Sequence, residues 1–495
     1  ASGYRARNQL GGEFAAFVPA TSAAPEHLLL VRNRYDWTNW AGQARLDGLL
    51  NARASYEVQA TASHHASGYG YGGGVGEAEA PGSMEALEEA AAAVRPSVPL
   101  DGGTDWRHTI QELALTGALS YSLSPRTQVE GGLGVGYTDA RIDRTGRFLA
   151  PLAHGADDWT LVAHATGQIT VGAGTVVEPC VRLTYLPSFD RAYPEPRLAL
   201  RHDGGSALGP YALRVATGLY RQYTNEYLLS STGATSVVPY VLFWLPPDGS
   251  IAPPYAYHAA LDAALWPTEA WTVEASAYAK AQPRLLALDH TPIVATGDAA
   301  LRETREDQAQ EDLLSAVRGH TLGGTVRARW RHRGVSASTA YTHTHARRQV
   351  PGRFEGRLLP LPGTAPHALD LDAGLGLGRG VRVGASWRGS WGRRWALRRS
   401  YYDVLALAEG AGALPPFDLD APEEHALPAT MALDLDLTLT RPLGRSTLVL
   451  RALLANATDH RNVYDWSLET AASGAVAQPR LLPGRHLAFS VRVQL

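Results

Sequence analysis

Along much of this chain apolar and polar residues alternate one for one, the period of a strand with a single apolar face. The last residues show it cleanly. Leu487, Phe489, Val491, Val493 and Leu495 fall on one face, and His486, Ala488, Ser490, Arg492 and Gln494 on the other. Leu433, Leu435, Leu437 and Leu439 alternate with Asp434, Asp436, Thr438 and Thr440. Leu369, Leu371, Ala373, Leu375 and Leu377 alternate with Asp370 and Asp372, and Leu322, Val326, Ala328 and Trp330 with Thr325, Arg327, Arg329 and Arg331. A strand in water normally packs its apolar face on a second layer. Here the opposite face repeatedly carries bare charge, which a lipid-facing exterior and a polar lumen explain together.

The pattern predicts about eighteen strands, at 10–18, 41–50, 54–66, 106–122, 127–139, 157–171, 176–187, 195–203, 210–222, 255–266, 270–286, 320–333, 335–348, 365–377, 381–392, 428–441, 446–458 and 484–495. The expected fold is all-β, an antiparallel up-and-down transmembrane β-barrel forming one domain over 1–495. Tight links at 123–126, 172–175, 267–269, 378–380 and 442–445 alternate with long ones at 67–105, 140–156, 223–254, 287–319, 393–427 and 459–483. The link at 188–194 is short where a long one is expected. Such asymmetry puts short turns on the periplasmic side and long loops outside. Within the 67–105 loop, Ser83 followed by Met84–Arg95 and Pro96 predicts a short capped helix, and 304–318 predicts another. Two registers follow from turn positions. A three-residue turn at Gly378–Gly380 sets Asp370 opposite Arg388, and a turn at Arg441–Gly444 sets Asp434 opposite Arg451.

Composition agrees. Hydrophobic residues make up 45% of the 495 residues and charged residues 19%, yet no run approaches the ~20 apolar residues of a membrane helix. A closed barrel is the other way to satisfy backbone groups in lipid. Tyr (21) and Trp (12) exceed Phe (8), as in interfacial aromatic belts. A net charge of -3 gives no nucleic-acid footprint. Cys180 is the only cysteine, which excludes an internal disulfide. No Met or signal sequence precedes Ala1, as in a matured secreted protein or a fragment.

Several segments resemble TonB-dependent outer-membrane receptors, in order along the chain. They are Glu178-Pro-Cys-Val-Arg-Leu-Thr-Tyr-Leu-Pro-Ser188; Pro196-Arg-Leu-Ala-Leu-Arg-His202, similar to a "PRLSLRY" strand; and Tyr211–Gln222, with "LRxAxGLYRQ" character. Tyr278-Ala-Lys-Ala-Gln-Pro-Arg-Leu-Leu286 is similar to the family's strand running into a loop. Leu453-Leu-Ala-Asn-Ala-Thr-Asp-His-Arg-Asn-Val-Tyr464 is similar to "NLFDRRNVY", and Pro483-Gly-Arg-His-Leu-Ala-Phe489 to a "PGRxxxxG" strand start. The resemblance covers roughly 41–495. It implies a 22-stranded barrel whose lumen is plugged, and neither plug nor TonB box is visible in this sequence. The expectation is therefore a receptor barrel lacking its plug and first strands. It would import a scarce nutrient (siderophore, cobalamin, saccharide or peptide) across a Gram-negative outer membrane, in contact with lipid and lipopolysaccharide and with the TonB complex through that plug. Two other classes stay open: a passive porin-like channel narrowed by an infolded loop, with 67–105 the longest candidate, and a structural barrel anchoring a surface lipoprotein or other partner.

No nucleophile elbow or HExxH motif occurs, so the chain reads as a non-enzyme without cofactor. Gly132, Gly134 and Gly136 form a GxGxG string on a strand, which small inward residues explain better than a phosphate loop. His343 and His345 share a strand face, and His64 and His65 lie near an outer loop base. Ordinary wall or rim histidines explain both pairs better than a metal site. Glu274, Lys280, Arg327, Arg329, Arg331, Arg382 and Arg388 are inward candidates for contact with a polar solute. Trp391, Trp395, Tyr401 and Tyr402 gather around Arg393, Arg394, Arg398 and Arg399 in the 393–427 loop, suiting either ligand capture or an aromatic belt below lipopolysaccharide.

Overall fold

A computed structural model describes residues 2–18, 27–76, 104–145, 152–230, 241–288, 314–349, 354–361, 364–394, 426–444, 446–471 and 474–494. In chain order the strands are β1 (Ser2–Val18), β2 (His27–Asn51), β3 (Ala54–Gly76), β4 (Thr104–Ser124), β5 (Thr127–Thr145), β6 (Leu152–Thr170), β7 (Thr175–Leu186), β8 (Arg191–Ser206) and β9 (Gly209–Arg221). A hairpin of β10 (Asn225–Ser230) and β11 (Val241–Leu245) follows. Then come β12 (Tyr255–Thr268), β13 (Trp271–Leu288), β14 (Leu314–His332), β15 (Val335–Arg348), the two-residue β16 (Leu359–Pro360), β17 (His367–Gly378), β18 (Val381–Trp391), β19 (Thr430–Leu443) and β20 (Ser446–Ala455). A second hairpin, β21 (Val463–Ala471) with β22 (Gly474–Leu481), precedes β23 (His486–Gln494).

Setting β16 aside, eighteen of these strands form one antiparallel meander in which each pairs with the next. All eighteen fall where the alternation predicted them. Those of the first half, and β13 and β14, mostly run further than predicted, because period-2 polarity marks only the stretch between lipid and lumen, while β18, β20 and β23 end slightly earlier. β2 alone has 25 residues, against the roughly 9–11 that a tilted strand needs to cross a bilayer. The 67–105 loop accordingly gives up its first and last residues to β3 and β4. The capped helix at 84–95 lies outside the described residues. The helix expected over 304–318 is corrected from Leu314 onward, where β14 begins and pairs with β13 through Leu288. Among the described residues no ladder joins β23 to β1.

The sheet curves strongly. Flat, β3 and β14 would lie about 40 Å apart at ~4.8 Å per strand. Yet Tyr69 of β3, Trp106 of β4, Ile142 of β5, the β10–β11 hairpin and Leu314 of β14 form one buried cluster. The face turned to that cluster is the concave one. The opposite face carries exposed aliphatics in rows, for example Leu113, Leu115, Leu119 and Leu123 on β4, Leu322 and Val326 on β14, and Leu371, Leu375 and Leu377 on β17. Leu133 is 72% exposed and Phe489 73%, values that water would penalise and lipid would not. Aromatic rings edge this band. Trp271 faces Trp330 beside the tight turns. At the other end Tyr137 packs on Trp159, and Tyr341, His367 and Trp391 pack together.

The tight turns explain the registers. Arg379 (φ 50) and Gly380 (φ 76) form a two-residue turn with both residues left-handed, the form whose twist matches a hairpin. A Cβ on Gly380 would lie 2.0 Å from the Thr440 carbonyl oxygen. A one-residue irregularity between Gly376 and Gly378 adds the third residue, so Asp370 does face Arg388 as expected. The β19–β20 expectation is corrected. Leu443 pairs with Ser446 and Arg451 with Thr438, so Asp434 does not face Arg451. The turn moves four residues of pairing onward because Gly444 (φ 63), not Pro442, takes the left-handed position.

Candidate functional site: the lumen and its infolded hairpin

The concave face is polar along most of its height, and its charges answer one another across strands. Arg45 of β2 reaches Glu57 of β3 at 3.1 Å. Glu274 of β13 lies opposite Arg327 of β14 and takes both Arg327 (3.6 Å) and Arg329 (3.3 Å). Arg388 faces Asp370 in register but turns its guanidinium to Asp434 on the other side, at 3.6 Å. Arg451 reaches Asp436 at 4.0 Å, so β20 still finds an aspartate despite the shifted register. Arg382 donates to the Ser336 hydroxyl at 3.4 Å. Lys280 stands between His258 and Thr321 in the ladder, and Arg331 opposite Ser336; among the described residues neither has an ion pair. Glu178, Arg201, Arg214, Asp262, Glu274 and Arg327 line one recess of about 670 Å³ in this wall. Of the inward candidates, the fold thus gathers Glu274, Arg327 and Arg329 and leaves Lys280 and Arg331 to water.

Trp391 ends β18 on the outer face and stacks on His367 with centroids 5.4 Å apart. Trp395, Tyr401 and Tyr402 lie outside the described residues. His343 faces His367 directly, with Nδ1 atoms 3.4 Å apart, while His345 stacks on His320. These rings belong to the outer aromatic row. Among the described residues no group of three or more His, Cys, Asp or Glu is arranged around a metal position. Gly132, Gly134 and Gly136 sit inward on β5. A Cβ on Gly132 would lie 2.2 Å from the His164 ring, so the glycine makes room for a neighbouring strand's imidazole.

The feature that periodicity missed is the β10–β11 hairpin. It leaves the wall after β9 and folds inward. β11 lies against β4 and β5, and β10 against β13. Tyr227, Phe243 and Leu245 are buried among Tyr69, Trp106 and Ile142. The one signal for it was the apolar run Val241-Leu-Phe-Trp-Leu245, too short to show a period. Its base is held by a buried polar network. Glu195, 1% exposed, accepts from Arg197 and from the Tyr223 hydroxyl, each at 2.8 Å. Burial, with the Glu195 carboxylate beside it, pushes the Tyr223 phenol well above its usual range. The returning limb crosses the β7–β8 link, where a Cβ on Gly249 (φ 90) would lie 2.8 Å from the Ser188 carbonyl oxygen. The link itself is a single tight turn, Pro187–Phe189 closed by Asp190 (φ 47), with β8 already begun at Arg191.

His108 of β4 fastens β11 near the base of the hairpin, where Trp244 pairs with Glu226. The His108 Nε2 lies 2.9 Å from the Trp244 carbonyl oxygen and 3.1 Å from the Trp244 amide. The exposed aliphatic band of β4 ends near Leu113, so His108, five residues further along, lies above the membrane. Burial there lowers its pKa to about 4, partly offset by the Trp244 hydrogen bond. The motif asparagines are structural too. Asn456 (φ 47) closes a turn by exchanging hydrogen bonds with His460, and Asn462 pairs side-chain to backbone with Met431 on β19.

The exposed apolar band, the aromatic rows and the polar concave face together define a β-barrel of the outer-membrane type. Solved structures with this fold include the outer membrane transporter YddB from Escherichia coli, at TM-score 0.52 and 9% identity over 99% of this chain and 75% of that one. The copper transporter OprC matches at 0.52 and 11%, over 99% and 79%. The siderophore receptor PirA from Pseudomonas aeruginosa matches at 0.52 and 10%, over 98% and 76%. At these identities the likeness is one of fold. No family model matches the chain, and no curated protein is similar to it in sequence.

Proposed function

We propose that this chain is the barrel of an outer-membrane nutrient receptor that admits its cargo when TonB acts on a plug domain. The observation that carries this reading is the fold shared with outer-membrane transporters and receptors over nearly the whole chain. The segments at 178–188, 196–202, 211–222, 278–286, 453–464 and 483–489, which resemble TonB-dependent receptors and come in the same order, support it. The cargo class spans siderophores, cobalamin, saccharides and peptides, alongside the copper and siderophore named for the structural neighbours. The paired charges of the wall suit a hydrated passage that binds no single ion tightly.

One observation favours the passive-channel reading as well. Among the described residues an infolded segment, the β10–β11 hairpin, narrows the lumen; most of the 67–105 loop expected for that role lies outside the described residues. The two readings separate on energy. The protein as its gene encodes it, expressed in an outer-membrane host with and without a working TonB system, should take up cargo only in the first. Uptake unaffected by loss of TonB, together with steady ion conductance in planar bilayers, would establish the channel instead.

A further inference from the structure

Two imidazoles at the outer mouth of the lumen are held as metal ligands are held. His65 of β3 and His108 of β4 point to the concave face, diagonal to one another across the ladder in which Ser67 faces His108 and His65 faces Ile110. Their ring centroids lie 6.1 Å apart. Each ring spends one nitrogen on a carbonyl-type oxygen: His65 Nδ1 on the Asn39 side chain, His108 Nε2 on the Trp244 backbone at 2.9 Å. The other nitrogen of each, His65 Nε2 and His108 Nδ1, is buried and has no hydrogen-bond partner. His108 itself is only 3% exposed.

A buried ring nitrogen left without a partner is destabilising, and two of them on one concave face need a reason. Metal-bound histidines show this arrangement, with the far N–H given to an oxygen so that tautomer and ring orientation are fixed and the near lone pair is free. The spacing permits a shared ion. A metal about 2.0–2.1 Å from one nitrogen of each ring lies about 3.2 Å from each ring centre, so rings that share it can stand up to roughly 6.4 Å apart. The Trp244 amide, 3.1 Å from His108 Nε2, is the partner of the opposite tautomer. A metal on Nδ1 would select the first. The Trp244 ring covers the site, 5.4 Å from His65 and 5.6 Å from His108.

We propose that His65 and His108 form a two-histidine site for a late first-row transition-metal ion such as Cu²⁺ or Zn²⁺ at the outer mouth of the lumen. Imidazole nitrogen suits these ions, and two protein ligands leave coordination places for water or for a small chelator carried with the metal. As a statement about binding it stands alone; as a statement about cargo it rests on the receptor reading.

The test is titration of the purified, folded protein in detergent with Cu²⁺ at pH 7.5, followed by calorimetry and by electron paramagnetic resonance. One Cu²⁺ per chain with coupling to two nitrogens is expected. His65→Gln or His108→Gln should weaken binding tenfold or more, while His343→Ala on the outer face should leave it unchanged. Heat-modifiable migration confirms that each variant keeps its barrel. Binding that survives the His65→Gln/His108→Gln double variant, or that is lost with His343→Ala alone, overturns the site. Uptake of Cu²⁺ by whole cells is scored separately. A site that binds in vitro without TonB-dependent Cu²⁺ uptake leaves the binding intact and removes the metal as cargo, while the receptor reading is decided by its own uptake test.

Discussion

The same strands carry two different inner surfaces. In their turn-side halves, β3 and β5 turn Glu57 and Glu130 to the lumen, polar groups that stay partly open to water. Higher up, the inward faces of β3, β4 and β5 present Tyr69, Trp106, Ile142 and Ala140, all buried. Alternation does not change between the two levels; what changes is the partner, from water to a folded hairpin. A concave face that switches from charged to aromatic without breaking its period therefore marks where another piece of protein docks. The strand pattern, read for polarity as well as period, locates the constriction.

Breaking that dock should have the largest effect. Phe243 is buried between Tyr227 and the His108 ring. Phe243→Ala should cost about 3–5 kcal/mol, the usual range for a buried phenylalanine. Because the hairpin is an insert, the loss should fall on docking and spare the wall. Hydrogen exchange would show β10–β11 amides exchanging a hundredfold faster or more, with β12–β13 unchanged, and planar bilayers would show raised conductance. Joint acceleration of hairpin and wall would mean that the two regions form one cooperative unit.

The opposite faces of the wall should separate nearly as far. Val326→Arg sets a charge among the exposed aliphatics of β14 and should cost about 2–4 kcal/mol if that row is at mid-membrane. Thr325→Arg, one residue away, loses only the Thr325–Thr342 hydrogen bond of 2.9 Å and should cost about 1 kcal/mol. Refolding into lipid vesicles in urea measures both. Equal effects would show that the lipid and lumen faces have been exchanged.

Acidity gives a finer handle on the hairpin. His108 has a folded pKa of about 4, below the value near 6.5 it would have once undocked. The undocked state then binds more protons, so docking is at full strength above pH 6.5. It weakens as pH falls through 6.5 towards 4, by about 3 kcal/mol at most. The groups facing His108 are His65, Phe243 and Trp244, and no carboxylate is among its hydrogen-bond or ring contacts. Conductance should rise on external acidification, and His108→Gln should flatten the response. A pH response kept by His108→Gln would place the switch elsewhere.

How far these regions could be read from the sequence follows from the same contrast. Every wall strand was visible because lipid on one side and water on the other impose a period on each residue. The hairpins β10–β11 and β21–β22 were not, because a strand packed on protein need not alternate and five apolar residues fit any element. Registers were legible only through turns. Gly378–Gly380 gave the correct partner for Asp370 because a two-residue turn plus a bulge counts as three. The β19–β20 turn failed because Pro442 looks like a turn residue, yet it pairs with Thr447 inside the ladder near the strand's end. The inward candidates Glu274, Arg327 and Arg329 were found by parity alone. His65 and His108 were not singled out as a pair, since their relation depends on Asn39 and on Trp244, 136 residues from His108.

The smallest expected effect tests the polar half of the wall. Glu274 sits between Arg327 and Arg329, and its side chain is 36% exposed. Pairs this open to water contribute roughly 0.2–1 kcal/mol, because solvent screens them and long side chains lose freedom in forming them. Glu274→Gln should therefore leave the refolding midpoint almost unmoved. It removes one negative charge beside two guanidinium groups in a recess, so local potential, not stability, should report it. Reversal potentials measured across a salt gradient should shift towards anions, and more so at low ionic strength, where screening is weak. A large loss of stability with no change in selectivity would mean that this part of the wall is packed like the hairpin dock, and the division between a wet and a dry inner surface would fall.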